Sequence, residues 1–366
     1  MKTRVCIEGI GVVGGFGSGV SAFREALGGK KCHPVKVAGR PGDAPDDFRV
    51  FLADTSGLDR YIPPKELRRI DHYSQLALLG AHLALDDAGV QAKELKRLGV
   101  VIATGYGPTR SMFSFIDSIV NDGIACASPS HFAASVHITA SAYIAMKLGT
   151  DCADHVVSQF EMSVPSALMT ACSWLEEGRL DHVLLGGVDE YCDTLGYVWR
   201  RFFGGGDAGE MRPLDLDEQT AIAGEGAAFL LLTRQVGPGG YAMVKEVDLV
   251  FCSEKFAVPV PPEAVEILGA DGHRSTGSKY RGFVNWGRAV VCYTPYYGSL
   301  PVGFGFQLAA AALMTKEGKI FATPGPLPAD RSFQVIAQEQ NLNARPICCV
   351  LRGTGESLAL ATVGHA

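Results

Sequence analysis

The amino-acid sequence predicts an α/β protein in which helices cover both faces of a mainly parallel sheet. Short runs rich in β-branched residues alternate with helical patterns along the chain, as in folds built from strand–helix–strand units. Residues 71–87 are apolar on nearly every face of a helix, which is typical of a helix buried in a large core. The alternation begins again after residue 240, so we expect a second half of similar design.

Local signals define the elements of the first half. Asp71 is the expected N-cap of the buried helix, and Gly89 is its expected stop. The other predicted elements are a strand at 4–13, a helix at 20–27, a strand at 98–104, an amphipathic helix at 109–121, an apolar helix at 135–148, a buried strand at 155–160, a helix ending at 179, a strand at 182–187 and a strand ending at 232.

A glycine-rich run from Val236 to Gly240 is the predicted internal boundary of one compact unit. It divides the chain into an N-terminal half, residues 1–235, and a C-terminal half, residues 240–366. In the second half we expect a strand at 241–251, a helix at about 304–315, and closing strands at 347–351 and 357–363. Prolines and glycines in 257–288 favour loops there.

Composition argues against several classes of function. The chain has 366 residues, 47% of them hydrophobic, which is enough for one large core or two fused halves. Lysine and arginine total 33 against 39 aspartates and glutamates, so the formal charge is −6. Since no basic run accompanies this charge, nucleic acid is not an expected partner. No apolar run approaches the roughly 20 residues that a membrane-spanning helix needs.

Neither a metal nor a cofactor is predicted. The ten cysteines lack the paired spacing of a zinc site or a disulfide framework, and Cys348-Cys349 falls in an apolar, strand-like run. We therefore expect reduced thiols in a cytoplasmic protein. Gly9, Gly11 and Gly14 satisfy a dinucleotide-binding pattern, but they begin inside the strand pattern and no acidic residue ends a second strand.

Glu161 is the most informative residue, because it lies where a predicted buried strand turns sharply into a helix. We expect Ser163 to cap that helix, with Pro165 in its first turn. The free N–H groups and the dipole of a helix N-terminus would activate a thiolate, and they would equally stabilise a carboxylate. Two roles stay open for Glu161: a carboxylate satisfied by the helix amides without chemistry, or a group that takes part in decarboxylation.

Several motifs have a distinctive combination and order. They are Arg-Pro-Leu-Asp at 212–215, Gly-Glu-Gly-Ala at 224–227, the Gly186-Gly187 strand end, the opening strand at 7–13 and Gly-Thr-Gly at 353–355. Together they resemble the thiolase-fold ketosynthases, the β-ketoacyl synthases of fatty acid and polyketide synthesis, clearly in the first half and thinly in the second. The resemblance implies two similar βαβαβ-type halves in a five-layered α/β core. It also implies a dimer joined across the strand before Glu161.

The resemblance further implies that the catalytic groups are missing. The family uses a cysteine to attack an acyl thioester, and two histidines to stabilise the charge that develops as malonyl-carrier protein loses carbon dioxide. Glu161 matches the cysteine, Thr294 a lysine and Ser299 the second histidine. Asp271 matches the first histidine, although His273 is near enough to keep that alignment open. Since acyl transfer needs the nucleophile and the enolate needs positioned donors, we expect no condensation by this chain alone.

Cys172 offers a competing position, because residues 170–173 spell Thr-Ala-Cys-Ser, the nucleophile motif of β-ketoacyl synthases. The strand that ends near Gly186 must follow a complete helix, and Glu161 leaves 186 − 161 = 25 residues for it. Cys172 leaves only 186 − 172 = 14, although a helix alone takes roughly 10–14 residues. We therefore expect Cys172 in the middle of the helix, as a small buried residue.

Catalytically degenerate ketosynthases include the chain length factors, which pair with an active ketosynthase and shape the far end of its acyl tunnel. Residues 68–81 resemble the ketosynthase-like subunit of bacterial aryl polyene clusters. The resemblance thus implies a heterodimer that elongates aryl polyene, polyunsaturated-fatty-acid-like or polyketide chains on acyl carrier protein. The candidates for limiting chain length are Met112, Phe113, Phe115, Ile116, Ile119, Phe132 and Phe160. The alternative is that these are ordinary core residues at helical spacing.

Other functions stay open. An independent enzyme would be a malonyl-carrier-protein decarboxylase that uses Glu161, as in loading ketosynthases with glutamine at this position, or an acyltransferase that uses Cys172. A scaffold or lipid-holding protein outside acyl synthesis is a third possibility. The segment from Trp199 to Gly204 is predicted as a surface turn, with contact to an acidic carrier protein as its alternative role.

Overall fold

A large mixed sheet runs through the computed structural model, which describes residues 1–38, 47–203, 209–234, 237, 239–251, 260–281, 288–328 and 334–365. Its strands and those of two small sheets are β1 Lys2–Gly14, β2 Gly17–Ser18, β3 Val35–Ala38, β4 Asp47–Phe51, β5 Leu98–Thr104, β6 Ala153–Ser158, β7 His182–Asp189, β8 Ala223–Gly224, β9 Gly226–Thr233, β10 Ala242–Phe251, β11 Val265–Leu268, β12 Ala289–Val291, β13 Lys319–Ile320, β14 Gln334–Val335, β15 Gln340–Asn341, β16 Ile347–Arg352 and β17 Ser357–Gly364.

The helices of the described ranges are α1 Val20–Leu27, α2 Pro64–Leu67, α3 His72–Ala88, α4 Thr109–Asp122, α5 Pro129–Ala134, α6 Thr139–Leu148, α7 Ser163–Glu176, α8 Asp193–Phe203, α9 Arg274–Tyr280 and α10 Gly303–Glu317. Short 3₁₀ helices occur at Ser56–Arg60, Ala92–Glu94, Ile124–Cys126, Phe160–Met162 and Thr294–Tyr296. No helix in these ranges combines the length and the apolar character needed to cross a membrane.

The large sheet contains one strand order twice, which confirms two similar halves. The first half runs β6-β5-β7-β9-β1, and the second runs β12-β11-β16-β17-β10, with β14 beyond β12. In each half the first three strands are parallel, and the other two are antiparallel to their neighbours. Only β9 in the first half and β17 in the second run against the other four strands, so the predicted parallel direction holds for four of five strands per half, and the sheet as a whole is mixed. The connection at 353–356 between β16 and β17, for example, is too short for a parallel crossover.

The layers of the fold follow from the contacts of its helices. α7 and α10 lie between the halves, because α7 packs against β5, β7 and β10 while α10 packs against β9, β16 and β17. α3 covers the outer face of the first half together with α6, and α9 packs against β16. These contacts give the five-layered α/β core that the resemblance implies. Residues 304–315 of α10 are buried on all sides, as the largely apolar sequence of this helix requires.

Capping residues determine the ends of α3 as predicted. The Asp71 carboxylate accepts a hydrogen bond from the N–H of Ser74 (2.9 Å), and Gly89 ends the helix with a φ of 68°. Gly11 of β1 allows the closest approach of strand and helix, since a Cβ there would lie 2.0 Å from the Gly80 carbonyl oxygen. Gly9 and Gly11 of the dinucleotide-like pattern thus serve the packing of β1 against α3, whereas a Cβ at Gly14 would meet the ring of Phe16.

Two predictions about elements need correction. The helix expected at 135–148 begins later, as α6 at Thr139, and a separate short helix, α5, precedes it. The hydroxyls of Ser135 and Thr139 donate to the carbonyls of Phe132 and Ala133 (2.8 Å each) at the end of α5. The region 257–288 contains β11 and α9 rather than loops alone, and its residues 257–259 and 282–287 lie outside the described ranges. Residues 235, 236 and 238 also lie outside them, so the boundary at Val236 to Gly240 stays a prediction.

Candidate functional site

The strand before the site is an edge strand. β6 pairs with β5 on one side, and no described strand pairs with its other side. Four of its six residues are exposed, including His155. The prediction of a buried strand is therefore wrong for the described part of this chain, in which no strand covers the outer edge of β6.

A single 3₁₀ turn, Phe160–Met162, joins β6 to α7 and carries Glu161. Phe160 has a φ of 52°, in the left-handed region that a bulky residue rarely adopts. Met162 is the N-cap of α7 and makes no side-chain capping bond, so Ser163 is the first residue of the helix rather than its predicted cap. The helix starts earlier than predicted because the 3₁₀ turn leads directly into it.

Ser163 nevertheless holds the turn in place. Its hydroxyl accepts a hydrogen bond from the N–H of Gln159 (2.7 Å) and donates to the carbonyl of Thr104 at the end of β5 (2.8 Å). Ser163 is fully buried, so these bonds are shielded from water. The position of Glu161 is thereby fixed relative to the sheet.

The carboxyl group of Glu161 is half-buried and faces the loop between β16 and β17. The N–H and the hydroxyl of Thr354 in this loop lie close to the carboxyl group and favour its charged form. Burial raises the pKa of Glu161, and the charge of Asp271 raises it further, whereas Thr354 and the N–H of Glu161 itself oppose this rise. These donors differ from the first-turn amides of α7 that we predicted, because the loop of the second half reaches the carboxyl group.

Glu161, Asp271, Thr294 and Ser299, the four positions selected from the sequence, line one cavity of about 120 Å³. Its wall combines the turn before α7 with segments of the second half that follow β11 and β12. The structure thus brings together residues that are more than a hundred positions apart. Their match to the catalytic positions of the ketosynthases remains a prediction.

The hydroxyl groups at the cavity donate to protein acceptors. Ser299 donates to one carboxylate oxygen of Asp271 (2.6 Å), and Thr276 lies 3.2 Å from the other oxygen. Thr294 donates to the carbonyl of Ala270 (2.7 Å). A hydroxyl group has one proton to donate, so neither Ser299 nor Thr294 has a proton left for a developing oxyanion.

His273 is held against two aromatic rings at the edge of the cavity. Its ring centroid lies 4.8 Å from that of Trp199 and 4.4 Å from that of Phe203, and its Nδ1 lies 3.1 Å from the Gln219 side-chain nitrogen. The Nε2 atom is 3.9 Å from the Asp271 carboxylate. Since both Asp271 and His273 line the cavity, both remain candidates for the first histidine position.

The segment that begins at Trp199 is the last part of α8, not the surface turn that we predicted. Trp199 is buried and packs against Phe203 four residues later, with 5.4 Å between ring centroids. This spacing of aromatic residues was the overlooked helical signal. Arg201 and Phe202 are exposed on the same helix, whereas Gly204 lies outside the described residues.

Sequence reasoning missed three polar residues at the site. Gln307 lines the cavity from α10, is only 1% exposed, and its Oε1 has no hydrogen-bond partner within the described residues. Its polar side chain in an otherwise apolar helix was the available signal. Arg352 also lines the cavity. Lys279 donates to the carbonyls of Gly353 (3.3 Å) and Gly355 (2.8 Å) and holds the loop that reaches Glu161.

The chain-length candidates lie near the surface of the single chain. Ile116, Phe132 and Phe160 are exposed by 43%, 56% and 39%. Phe132 packs against Phe115 at 5.3 Å, and Phe160 packs against Tyr106 at 5.4 Å and lines the cavity. The half-buried candidates are Met112, Phe113, Phe115 and Ile119. None of the seven is a buried core residue, which contradicts the alternative interpretation, and only Phe160 reaches the cavity.

Cys172 lies in the middle of α7, as the spacing argument predicts. It is fully buried, is not among the residues that line the cavity, and burial raises the pKa of its thiol to about 12. Nucleophilic attack requires an accessible thiolate, so this environment speaks against an acyltransferase that uses Cys172. All nine cysteines in the described ranges are free thiols.

Two buried acids support the wall that carries Tyr106. Asp189 accepts hydrogen bonds from the Thr104 hydroxyl (2.7 Å) and the Tyr106 N–H (2.8 Å), and Glu190 accepts one from the Arg110 N–H (2.8 Å). Burial raises the pKa of Asp189 to about 6 and that of Glu190 to about 8, despite these bonds. Within the described ranges, no group of three or more His, Cys, Asp and Glu side chains is arranged to hold a metal ion.

Comparison with known sequences places most of the chain in one family. The family described as "Beta-ketoacyl synthase, N-terminal domain" matches residues 2–236. A candidate polyketide β-ketoacyl synthase of Streptomyces virginiae is 28% identical over 248 residues, which cover 63% of this chain and 58% of that protein. The chloroplastic 3-oxoacyl-[acyl-carrier-protein] synthase I of Hordeum vulgare is 24% identical over 253 residues, 63% of this chain and 53% of that protein. The chain thus matches little more than half the length of these relatives.

Solved structures share the fold over the whole chain. The ishigamide ketosynthase/chain length factor superposes with a TM-score of 0.81 at 19% identity, with 100% of both chains covered. A chain from the solved complex of a type II polyketide acyl-carrier protein with its ketosynthase also superposes on this chain. Its TM-score is 0.79 at 16% identity, with 100% of both chains covered. At these identities the likeness shows the thiolase-like fold. Since the family match covers residues 2–236, more than half of the chain, the chain belongs to the β-ketoacyl synthase family.

Proposed function

We propose that this chain is a non-condensing subunit of the chain length factor type, which pairs with an active β-ketoacyl-acyl-carrier-protein synthase. One observation carries the proposal: Glu161 occupies the turn before α7, and no cysteine is among the described residues that line its cavity. A carboxylate is a poor nucleophile toward thioesters, and Thr354 beside it favours its charged form. The lining of the cavity thus offers no thiol as an attacking group.

The rest of the cavity supports the same proposal. Enolate stabilisation needs donors aimed at the developing charge, but the protons of Ser299 and Thr294 are committed to Asp271 and Ala270. The negative charge of Asp271 would itself disfavour an enolate nearby. A decarboxylase that uses Glu161 faces the same obstacle, so it remains the second candidate.

Pairing would use the outer edge of β6. An unpaired strand edge offers a row of N–H and carbonyl groups to an added strand, and the neighbouring surface exposes Phe132 and Phe160. We propose that the active synthase docks there and that Phe113, Ile116 and their neighbours on α4 then limit the length of its acyl chain.

Acyl carrier protein is the proposed donor of the chain. Exposed Arg201 and Phe202 on α8 lie on the helix whose other face, through Phe203, reaches the cavity. A basic and aromatic surface of this kind suits an acidic carrier protein. For the pathway, we propose aryl polyene synthesis from the resemblance at residues 68–81, and for the location we propose the cytoplasm, where free thiols persist.

Reconstitution with a cysteine-containing synthase from the same gene cluster tests the proposal. The purified chain should neither condense nor decarboxylate malonyl-acyl-carrier protein alone, and it should form a stable one-to-one complex that elongates chains. Phe113→Ala and Ile116→Ala should lengthen the products, whereas Leu327→Ala, at an exposed apolar residue far along the chain, should not. Turnover by the chain alone, lost in Glu161→Ala, would favour the decarboxylase instead. Failure to form the complex would overturn the proposal.

A further inference from the structure

One continuous stretch of the chain holds most of the exposed large apolar side chains among the described residues. We define the edge surface as residues 111–160, which comprise most of α4, then α5, α6 and β6. Eight of the fourteen exposed large hydrophobic residues in the described chain belong to it, so it has the character of a contact surface. These residues are Ile116, Val120, Ile124, Phe132, Val136, Ile138, Met146 and Phe160.

The charges on the edge surface are almost all negative. Its four carboxylates are all exposed, and within the described residues none of them has an ion-pair partner. They belong to Asp117, Asp122, Asp151 and Asp154. Its one lysine, Lys147, is already paired with Glu66 outside the surface. With histidines neutral, the segment has a formal charge of 1 − 4 = −3.

The twofold symmetry of a dimer determines how this negative charge affects self-association. A twofold dimer brings the same patch of each copy together, so any register across the edge surface sets three net negative charges against three. Charges within about 8 Å repel appreciably at physiological salt, and like charges across an interface disfavour the wrong partner. The apolar residues therefore favour contact, while the aspartates disfavour contact with an identical copy.

We propose that the edge surface selects a ketosynthase-fold partner with unpaired lysine or arginine on its facing side, and rejects a second copy of this chain. This inference rests on the proposed function for the docking of a synthase at β6. It adds a charge-based reason why this chain associates with a different subunit rather than with a second copy of itself.

Charge-altered forms of this chain test the inference without any other protein. The neutral form is Asp117→Asn with Asp122→Asn and Asp151→Asn, and the basic form has lysine at the same three positions. In 50 mM salt we expect the natural chain to be monomeric by native mass spectrometry and the neutral form to self-associate at least about tenfold more tightly. An equimolar mixture of the natural and basic forms should give mixed dimers. These dimers should weaken in 500 mM salt.

A matched control carries Asp59→Asn, Glu263→Gln and Glu339→Gln, which remove three exposed acids outside the edge surface, and it should behave as the natural chain does. A natural chain that dimerises as tightly as the neutral form would overturn the inference, and so would the absence of mixed dimers. Either result leaves the proposed function standing, because that depends on product formation with a synthase. Conversely, a failure of the proposed function would leave unchanged the oligomeric masses that native mass spectrometry gives for the natural, neutral and basic forms.

Discussion

Glu161 and Thr354 line the same cavity, and the N–H and hydroxyl of Thr354 favour the charged form of the Glu161 carboxyl group. These two residues lie in the turn before α7 of the first half and in the loop between β16 and β17 of the second. Lys279 binds the same loop through the carbonyls of Gly353 and Gly355. Glu161 thus lies where the two halves meet.

The first prediction is that Glu161 and Thr354 stabilise the fold jointly. Glu161→Ala and Thr354→Val should each lower the free energy of unfolding, and a double-mutant cycle in urea should give a coupling of about 1 kcal/mol, the usual net value of one hydrogen bond. Thr315→Val is the matched control, since Thr315 donates to Ala311 within α10. Its effect should add to that of Glu161→Ala within about 0.5 kcal/mol. Additivity for the Glu161 and Thr354 pair would contradict the contact.

The second prediction is that Glu161→Cys does not restore condensation. The new thiol would lie beside the Asp271 carboxylate, which disfavours the thiolate, and Ser299 and Thr294 would still have no free proton for an enolate. Mass spectrometry after incubation with acyl- and malonyl-acyl-carrier protein should detect no elongated product. Glu161→Ser provides the background rate. Product above that background would mean that only the nucleophile is missing.

The sequence was sufficient to predict those features of the fold that depend on residues close together in the chain. Asp71 and Gly89 lie within one turn of the helix ends that they define, so their residue types predict those ends. The pair Glu161 and Thr354 is separated by 354 − 161 = 193 residues, and no local pattern relates the two. The repeated strand order brings them together.

The errors at the candidate site have a similar origin. β6 has the composition of a buried strand, yet its exposure depends on whether another chain covers the sheet edge. The segment after Trp199 reads as a turn because exposed arginines and phenylalanines obscure a four-residue aromatic spacing. In both cases the residue types were informative, but the exposure and the secondary structure of these residues also depend on contacts with distant parts of the chain or with another chain.

The third prediction concerns pH and the buried acid Glu190. Its pKa is about 8 in the folded protein against an ordinary value of 4.5, so the folded state binds more protons than the unfolded state between these limits. The contribution of Glu190 to stability is therefore complete below about pH 4.5 and is lost as the pH rises through about 8. Glu190→Gln cannot ionise, so it should be relatively more stable at pH 8 than at pH 5, by a few kcal/mol.

Urea denaturation of the natural chain and of Glu190→Gln at pH 5 and pH 8 measures this difference directly. Comparing the two proteins cancels the contribution of every other titrating group that is unchanged between them. Asp59→Asn serves as the control, because Asp59 is exposed and its removal should leave the pH dependence as it is. A parallel pH dependence in the natural chain and in Glu190→Gln would show that Glu190 is already ionised at pH 5, so that its pKa is not raised in the folded protein.

The fourth prediction is that Gly11 serves packing and not nucleotide binding. In Gly11→Ala the new Cβ would lie 2.0 Å from the Gly80 carbonyl oxygen and 2.5 Å from the Ala84 nitrogen, both in the backbone of α3. Backbone atoms can yield only by displacing the helix from β1, so the free energy of unfolding should fall by about 3 kcal/mol. Gly209→Ala is the control, since a Cβ there meets nothing within 4 Å and should change stability by no more than about 0.5 kcal/mol. Urea denaturation of the two variants side by side measures both values. If Gly11→Ala were as stable as Gly209→Ala, strand β1 could not approach α3 as closely as the structure requires, and the outer layer of the first half would have to pack differently.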